Sequence, residues 1–206
     1  FDLEKGPVWR TLVFCLRDGV LGIALVIHHI ASDGWSIAYL TEELKELCRA
    51  YVEGSVPRLA ELPVQYADYA VWQRQWLQGE RLEGQLDYWR ERLAGMPLVL
   101  ELPIDYPRPA VQTFSGSGYR FDLPEAVAAG IGALGQRHRV TLFMTLLAVF
   151  KVLLCRYTGQ TDIVVGAPSA GRERAEIEHV QGLFLNTLVL RTELSGELRF
   201  SELLAR

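Results

Sequence analysis

Between Leu25 and Leu40 the sequence reads LVIHHIASDGWSIAYL. Two adjacent histidines close an apolar run, Asp33 and Gly34 follow, and a helix-like pattern begins. A neutral imidazole at a strand end takes a proton from an attacking amine or hydroxyl near neutral pH, a role that suits His29. Asp33 admits two roles. It could contact a histidine directly, as the carboxylate of a Ser-His-Asp arrangement does, or it could pair with an arginine and hold the turn rigid. Gly34 can adopt positive φ and bring its backbone N–H close to a substrate. Ser36 is placed to cap the helix that starts beside it.

Other readings of the same residues stand beside this one. His28 and His29 could be satisfied histidines at a strand edge, with Asp33-Gly34 a plain turn. A metal site would find ligand types in the pair and the aspartate. Against it, strand alternation sends the two rings to opposite faces, and His138 and His179 stand in no ligand spacing. A Ser or Cys nucleophile has little support: there is no GxSxG elbow, and none of Cys15, Cys48 and Cys155 is near a histidine in sequence.

The surrounding elements must position these groups. Trp9 to Leu16 and Leu21 to Ile27 are β-rich runs joined through Arg-Asp-Gly, a hairpin signal. On the second run Leu21, Ile23, Leu25 and Ile27 share one face, and Gly22, Ala24 and Val26 share the other. If the strand continues, His29 extends the bulky face and His28 the small one. Ile37, Leu40, Leu44, Leu47, Cys48 and Tyr51 fall at helical spacing, and Gly54 stops that helix. Val64 to Leu77 carries an aromatic stripe through Tyr66, Tyr69, Trp72 and Trp76, expected to be core packing. A further helix spans about Arg81 to Leu93.

The texture then changes. Pro97, Pro103, Pro107 and Pro109 forbid a regular helix, so this stretch is expected to be an extended crossover between two lobes. Beyond it the sequence predicts a strand in GYRFDLP, a helix over Glu125 to Arg139 with Pro124 at its start, and an apolar helix from Leu142 to about Tyr157 capped by Thr141. Strands follow in TDIVVGAP and FLNTLVLRTEL.

The 206 residues are half hydrophobic and 22% charged, which is globular rather than disordered composition. A formal net charge of −4 argues against a nucleic-acid partner. No apolar run reaches membrane-spanning length. Three dispersed cysteines without a CxxC pair point to reduced core thiols and a cytoplasmic setting. The chain opens on Phe1 and closes on a helix-like Ser201-Glu-Leu-Leu, so it is expected to be an interior segment, and a poor catalyst by itself.

The motif HHIASDGWS resembles the HHxxxDGWS signature of condensation domains in non-ribosomal peptide synthetases. YADYAVWQRQWL, YWRERLAGMPLVLELPIDYPRP, YTGQTDIVVGAPSAGR and VQGLFLNTLVLRTEL resemble further signatures of that family, in the same order. The resemblance covers nearly the whole chain. It implies an α/β fold of two-layer sandwich lobes, chloramphenicol-acetyltransferase-like, with two lobes meeting at a cleft that His29 faces. Residues 1–108 would be a partial N-terminal lobe, and residues 109–206 a partial C-terminal lobe. HHxxxDG itself is shared more widely with epimerisation domains and, as HxxxD, with other acyltransferases.

Carried over residue by residue, the resemblance makes His29 the group that deprotonates or orients the acceptor's α-amino group as it attacks the donor thioester. Gly34 would line the site with its backbone. His28, Asp33, Arg172 and Ser36 would be structural at the site, with Asp33 salt-bridged to an arginine of the other lobe. Arg172 is the candidate partner and Arg174 the runner-up. Asn186 and Trp35 would line the tunnel. No metal and no directly bound cofactor is implied, because substrates would arrive on the phosphopantetheine arms of donor and acceptor carrier domains, beside an adenylation domain. His28 and His29 argue against the heterocyclising branch. DGWS argues for condensation over epimerisation, and most resembles the branch joining two L-configured residues. A degenerate module that only docks carriers is the non-catalytic alternative.

Overall fold

The computed structural model describes residues 1–17 and 19–205. Asp18, half of the Asp-Gly pair expected to turn the hairpin, lies outside the described residues. The elements run β1 (Trp9–Arg17), β2 (Val20–Ile27), a 3-10 turn (His29–Ala31), α1 (Gly34–Glu53), α2 (Tyr66–Trp76), α3 (Glu80–Leu93), α4 (Glu125–His138) and α5 (Leu142–Thr158). Then come β3 (Asp162–Ser169), a second 3-10 turn (Ala175–Ile177), β4 (Asn186–Glu193) and α6 (Phe200–Leu204). β1 pairs with β2 and β3 with β4, each as a two-stranded sheet.

The chain forms two compact units, and neither is a single stretch of sequence. One comprises residues 1–89 and 168–188, and the other residues 90–167 and 189–206. This division differs from the consecutive segments 1–108 and 109–206. Residues 168–188 return to the first unit because Ile177, Val180 and Phe184 bury their side chains against Val64, Tyr66 and Tyr69 there.

In the first unit β1 and β2 are antiparallel, with Trp9 opposite Ile27 and Phe14 opposite Gly22, and an irregularity between Cys15 and Arg17. Apolar side chains are exposed on both faces of this hairpin, among them Leu12, Val13, Ile23 and Val26. α1 starts at Gly34 and stops at Gly54, whose N–H donates to the carbonyls of Ala50 and Tyr51. α2 presents Tyr66 and Tyr69 to the small core of this unit, as the stripe predicts. Trp72 and Trp76 instead stack on each other nearer the surface, with Arg174 over Trp72 and Arg81 over Trp76.

In the second unit Ala148, Leu154, Ile163, Leu194, Leu203 and Leu204 make the core. Thr141 caps α5 by accepting from Met144 N at 3.2 Å. Lys151 is buried in α5 and its Nζ donates to Thr192 Oγ1 at 2.6 Å. Arg191 grips both carboxylate oxygens of Asp162 and also donates to the carbonyls of Arg92 and Ala94. The proline-rich crossover is irregular, as expected. The side chain of Gln160 pins it, accepting from Glu101 N at 2.8 Å and donating to Val99 O at 3.1 Å.

Two expectations fail here. GYRFDLP forms no strand: Tyr119, Phe121 and Leu123 alternate as a strand would, but no described segment pairs with them, and all three are exposed. Cys15 and Cys48 are exposed rather than core residues, and only Cys155 is half-buried. Cys15 lies on the uncovered hairpin, which explains its exposure. Among the described residues no single helix is long and apolar enough to cross a membrane, although α4 and α5 meet that test as a pair bent by 108°.

Candidate active site

β2 ends at Ile27, just before the histidine pair. His28 is still extended, and its backbone N–H donates to Val8 O at 2.8 Å. Its ring serves the local backbone. Nδ1 accepts from Ile30 N at 3.0 Å and caps the 3-10 turn. An Nδ1 that accepts leaves the proton on Nε2. The ring edge also meets Phe1, with centroids 5.6 Å apart. His29 opens the 3-10 turn, so strand alternation does not reach it, and the face assignment drawn from β2 does not apply. Its side chain is exposed, and its carbonyl accepts from Ser32 N at 3.4 Å. One histidine is occupied in capping, while the other presents its imidazole to solvent.

Asp33 follows on an extended backbone and caps α1 by accepting from Ser36 N at 2.8 Å. The cap is therefore Asp33, not Ser36. A carboxylate has two oxygens aimed at the helix start and a charge that suits the helix N-terminus, whereas Ser36 lies inside the first turn. The other Asp33 oxygen accepts from Phe184 N at 3.0 Å. Arg172 Nη2 completes the shell at 3.2 Å from Oδ1, and both side chains of this ion pair are 2% exposed. Arg174, the runner-up, lies over Trp72 instead. Arg172 belongs to the same compact unit as Asp33, so the pair operates within one unit.

Burial opposes the charge on Asp33. The amides of Ser36 and Phe184, the Ser36 side chain and the Arg172 guanidinium outweigh it, and the carboxyl is held below its ordinary range.

Arg172 is itself over-determined. Nη1 donates to the carbonyls of Ile177 and Val180 at 2.7 Å each, with a longer contact to Glu178, and Nη2 also donates to Ser36 Oγ at 2.8 Å. The guanidinium carbon lies 4.1 Å from the centroid of the Phe184 ring. Lysine cannot reproduce this fork. Gly171 precedes it at φ +66°, and a Cβ there would fall against the carbonyl of Phe184. Both facts reserve the position for glycine.

Ser36 is fully buried. Its hydroxyl donates to Gly182 O at 2.9 Å and accepts from Gly182 N at 3.1 Å, besides the bond from Arg172. Its donor and both of its acceptor sites are thus all used. Tyr66 closes the same loop from the side of α2, donating its hydroxyl to Leu183 O at 2.8 Å. These contacts escape a sequence reading, although Gly182 amid the apolar residues of VQGLFLNT signals a close backbone approach.

The remaining candidates are more peripheral. Gly34 is the first residue of α1 and is not left-handed; the space where its Cβ would sit is open. Trp35 is 45% exposed and tilts against Tyr39. Asn186 is exposed at the start of β4, its Oδ1 accepting from Thr187 N at 2.8 Å. Among the described residues no group of three or more His, Cys, Asp or Glu side chains is placed to hold a metal ion.

The order of elements and the anchored His-His turn define a mixed α/β chain of the chloramphenicol-acetyltransferase-like class, and solved condensation-domain structures share the fold. The chain belongs to the condensation-domain family, whose description "Condensation domain" matches residues 1–206. It is 53% identical over all 206 residues to a linear gramicidin synthase of Brevibacillus parabrevis, covering 4% of that protein. It is 44% identical, again over its whole length, to phosphinothricin tripeptide synthetase PhsC of Streptomyces viridochromogenes, covering 19% of it. The X-domain from teicoplanin biosynthesis superposes with TM-score 0.90 at 30% identity, covering 100% of this chain and 47% of that one. Holo-AB3403, a four-domain nonribosomal peptide synthetase bound to AMP and glycine, gives TM-score 0.83 at 30% identity, over 99% of this chain and 15% of that one. The chain thus spans a small part of its curated relatives and under half of these structural neighbours.

Proposed function

We propose that this chain is the histidine-bearing part of an amide-forming condensation domain. The observation that carries the reading is the division between the histidines: His28 is fixed by capping, while His29 is exposed on a turn held by a buried Asp33–Arg172 pair. A thioester is already an activated acyl donor, so no covalent enzyme intermediate is needed. The acceptor's amine attacks the thioester carbonyl, the C–N bond forms, and the C–S bond breaks. The amine proton passes to His29, and the departing thiolate takes up a proton. His29 acts as the base or as the group that orients the amine. Gly34, bare of a Cβ and open on that side, lets substrate approach the first turn of α1.

The substrates are aminoacyl or peptidyl thioesters on the phosphopantetheine arms of donor and acceptor carrier domains, within a cytoplasmic assembly that also holds an adenylation domain. The similarity to a four-domain synthetase supports this setting.

A second reading is a module that docks partners without catalysis. Its support is the likeness to the teicoplanin X-domain, solved in complex with OxyB, at TM-score 0.89 and 29% identity. One experiment separates these readings from the epimerisation alternative. The longest natural chain containing residues 1–206 is supplied with two loaded carrier domains, and product mass and chirality are followed. A dipeptidyl thioester supports condensation, a D-aminoacyl thioester means epimerisation, and unchanged species mean docking.

A further inference from the structure

The loop from Gly182 to Phe184 is held on two sides by residues of two different helices. From α1, Ser36 takes both backbone groups of Gly182, its hydroxyl donating to the carbonyl and accepting from the amide. From α2, the Tyr66 hydroxyl donates to Leu183 O, and the Tyr66 ring fills the space where a Gly182 Cβ would stand. The Tyr66 ring also meets Phe184 edge-on, with centroids 5.1 Å apart. Further along the loop, the Phe184 N–H is one of the donors that hold Asp33. Asp33 in turn caps α1, and the backbone between His28 and Asp33 is a single 3-10 turn that begins at His29.

We propose that Ser36 and Tyr66 are positioning residues that clamp Gly182 between α1 and α2 and so fix the Phe184 amide, Asp33 and the turn carrying His29. This rests on the condensation reading for its catalytic consequence. Neither residue touches the reacting atoms; they act through the loop. Serine suits its place because one buried hydroxyl supplies the donor and the acceptor that a glycine backbone presents together. Tyrosine suits its place because an aromatic body packs on a bare Cα while its tip reaches the next carbonyl. Glycine is the one residue that leaves room for both.

The test uses Ser36→Ala, Tyr66→Phe and the double variant in the longest natural chain that contains residues 1–206. Tyr66→Phe keeps the ring and removes only the hydroxyl, so it guards against a folding failure in Ser36→Ala. Two measurements are made. The first is hydrogen exchange at the Gly182 and Phe184 amides. The second is single-turnover amide formation, with a panel of proteinogenic aminoacyl thioesters loaded on the phosphopantetheine arms of two carrier domains.

Each single variant is expected to speed exchange at both amides and to slow the single-turnover rate about tenfold, within the roughly 10²-fold that a 1 Å misplacement costs. Half-saturation by the acceptor carrier should stay unchanged. The double variant should be barely worse than the worse single, since both act through Gly182. Unchanged exchange overturns the clamp. Faster exchange with an unchanged rate overturns the positioning role and leaves a structural contact. Strictly additive rate losses overturn the shared route through Gly182. A wild type silent with every thioester refutes the condensation reading and the positioning role with it, while exchange still decides whether the clamp exists.

Discussion

Arg172 and Asp33, 139 positions apart in sequence, form an ion pair with both side chains 2% exposed. The pair is one edge of a closed network. Arg172 also binds three carbonyls of its own loop and the Ser36 hydroxyl, and Asp33 also binds two amides. Truncating Arg172 to alanine leaves a buried carboxylate short of its cation and several carbonyls short of a donor. A loss of about 3–5 kcal/mol is expected, as for other broken buried pairs. Urea unfolding of Arg172→Ala against wild type measures it, and Arg172→Lys should recover little, because an ammonium lacks the fork.

The depressed carboxyl of Asp33 makes stability depend on acid. The folded form releases its proton more readily than the unfolded chain does. Its contribution is therefore fully present above the ordinary carboxylate range and is lost as pH falls through the folded value. Thermal melts from neutral pH into strong acid should show a descent that is shallower in Asp33→Asn, which should also melt lower at neutral pH.

Lys151 works in the opposite sense. Burial, and secondarily the Arg92 charge, hold its amine below the ordinary lysine range. Between the folded and ordinary values the unfolded chain binds more protons, so stability rises with pH through that window, and the penalty is complete below it. Lys151→Met should melt higher at neutral pH and lose the alkaline rise. Melting curves from neutral pH up to the ordinary lysine range check both.

His29→Ala should leave the melting temperature unchanged, because the side chain is exposed. The rate of amide formation in the full-length protein should fall by about 10²–10⁴-fold, the usual scale for loss of a general base. Rapid-quench single turnover distinguishes this from weakened carrier binding.

Gly171→Ala should destabilise the loop by about 1–3 kcal/mol from backbone conformation alone, at φ +66°, before the clash with Phe184 O is counted. Denaturant titration with aromatic fluorescence reports the loss.

Much of this fold is legible from the sequence, where local chemistry decides it. Gly54 ends α1, Thr141 starts α5, and the paired runs of β1 and β2 form a hairpin because each signal acts within a few residues. Arg172 is legible as the partner of Asp33 through resemblance alone, since no periodicity links residues so far apart. The failures are also physical. GYRFDLP has strand alternation but no pairing partner. Strand parity does not extend to His29, because a ring nitrogen of His28 sets a boundary before it. Ser36 resembles a cap, yet it serves Gly182, which is distant in sequence and near only after the loop has closed.

The grip of Gln160 on the crossover has a consequence for engineering. Its amide addresses a backbone carbonyl and a backbone amide, at Val99 and Glu101, and neither side chain. Both of those side chains are exposed, while Leu100 between them packs on the core. The path of this segment is therefore specified while its lettering is mostly free. Crossovers from related chains can be exchanged here as cassettes, provided that an apolar residue replaces Leu100 and an amide side chain is kept in place of Gln160.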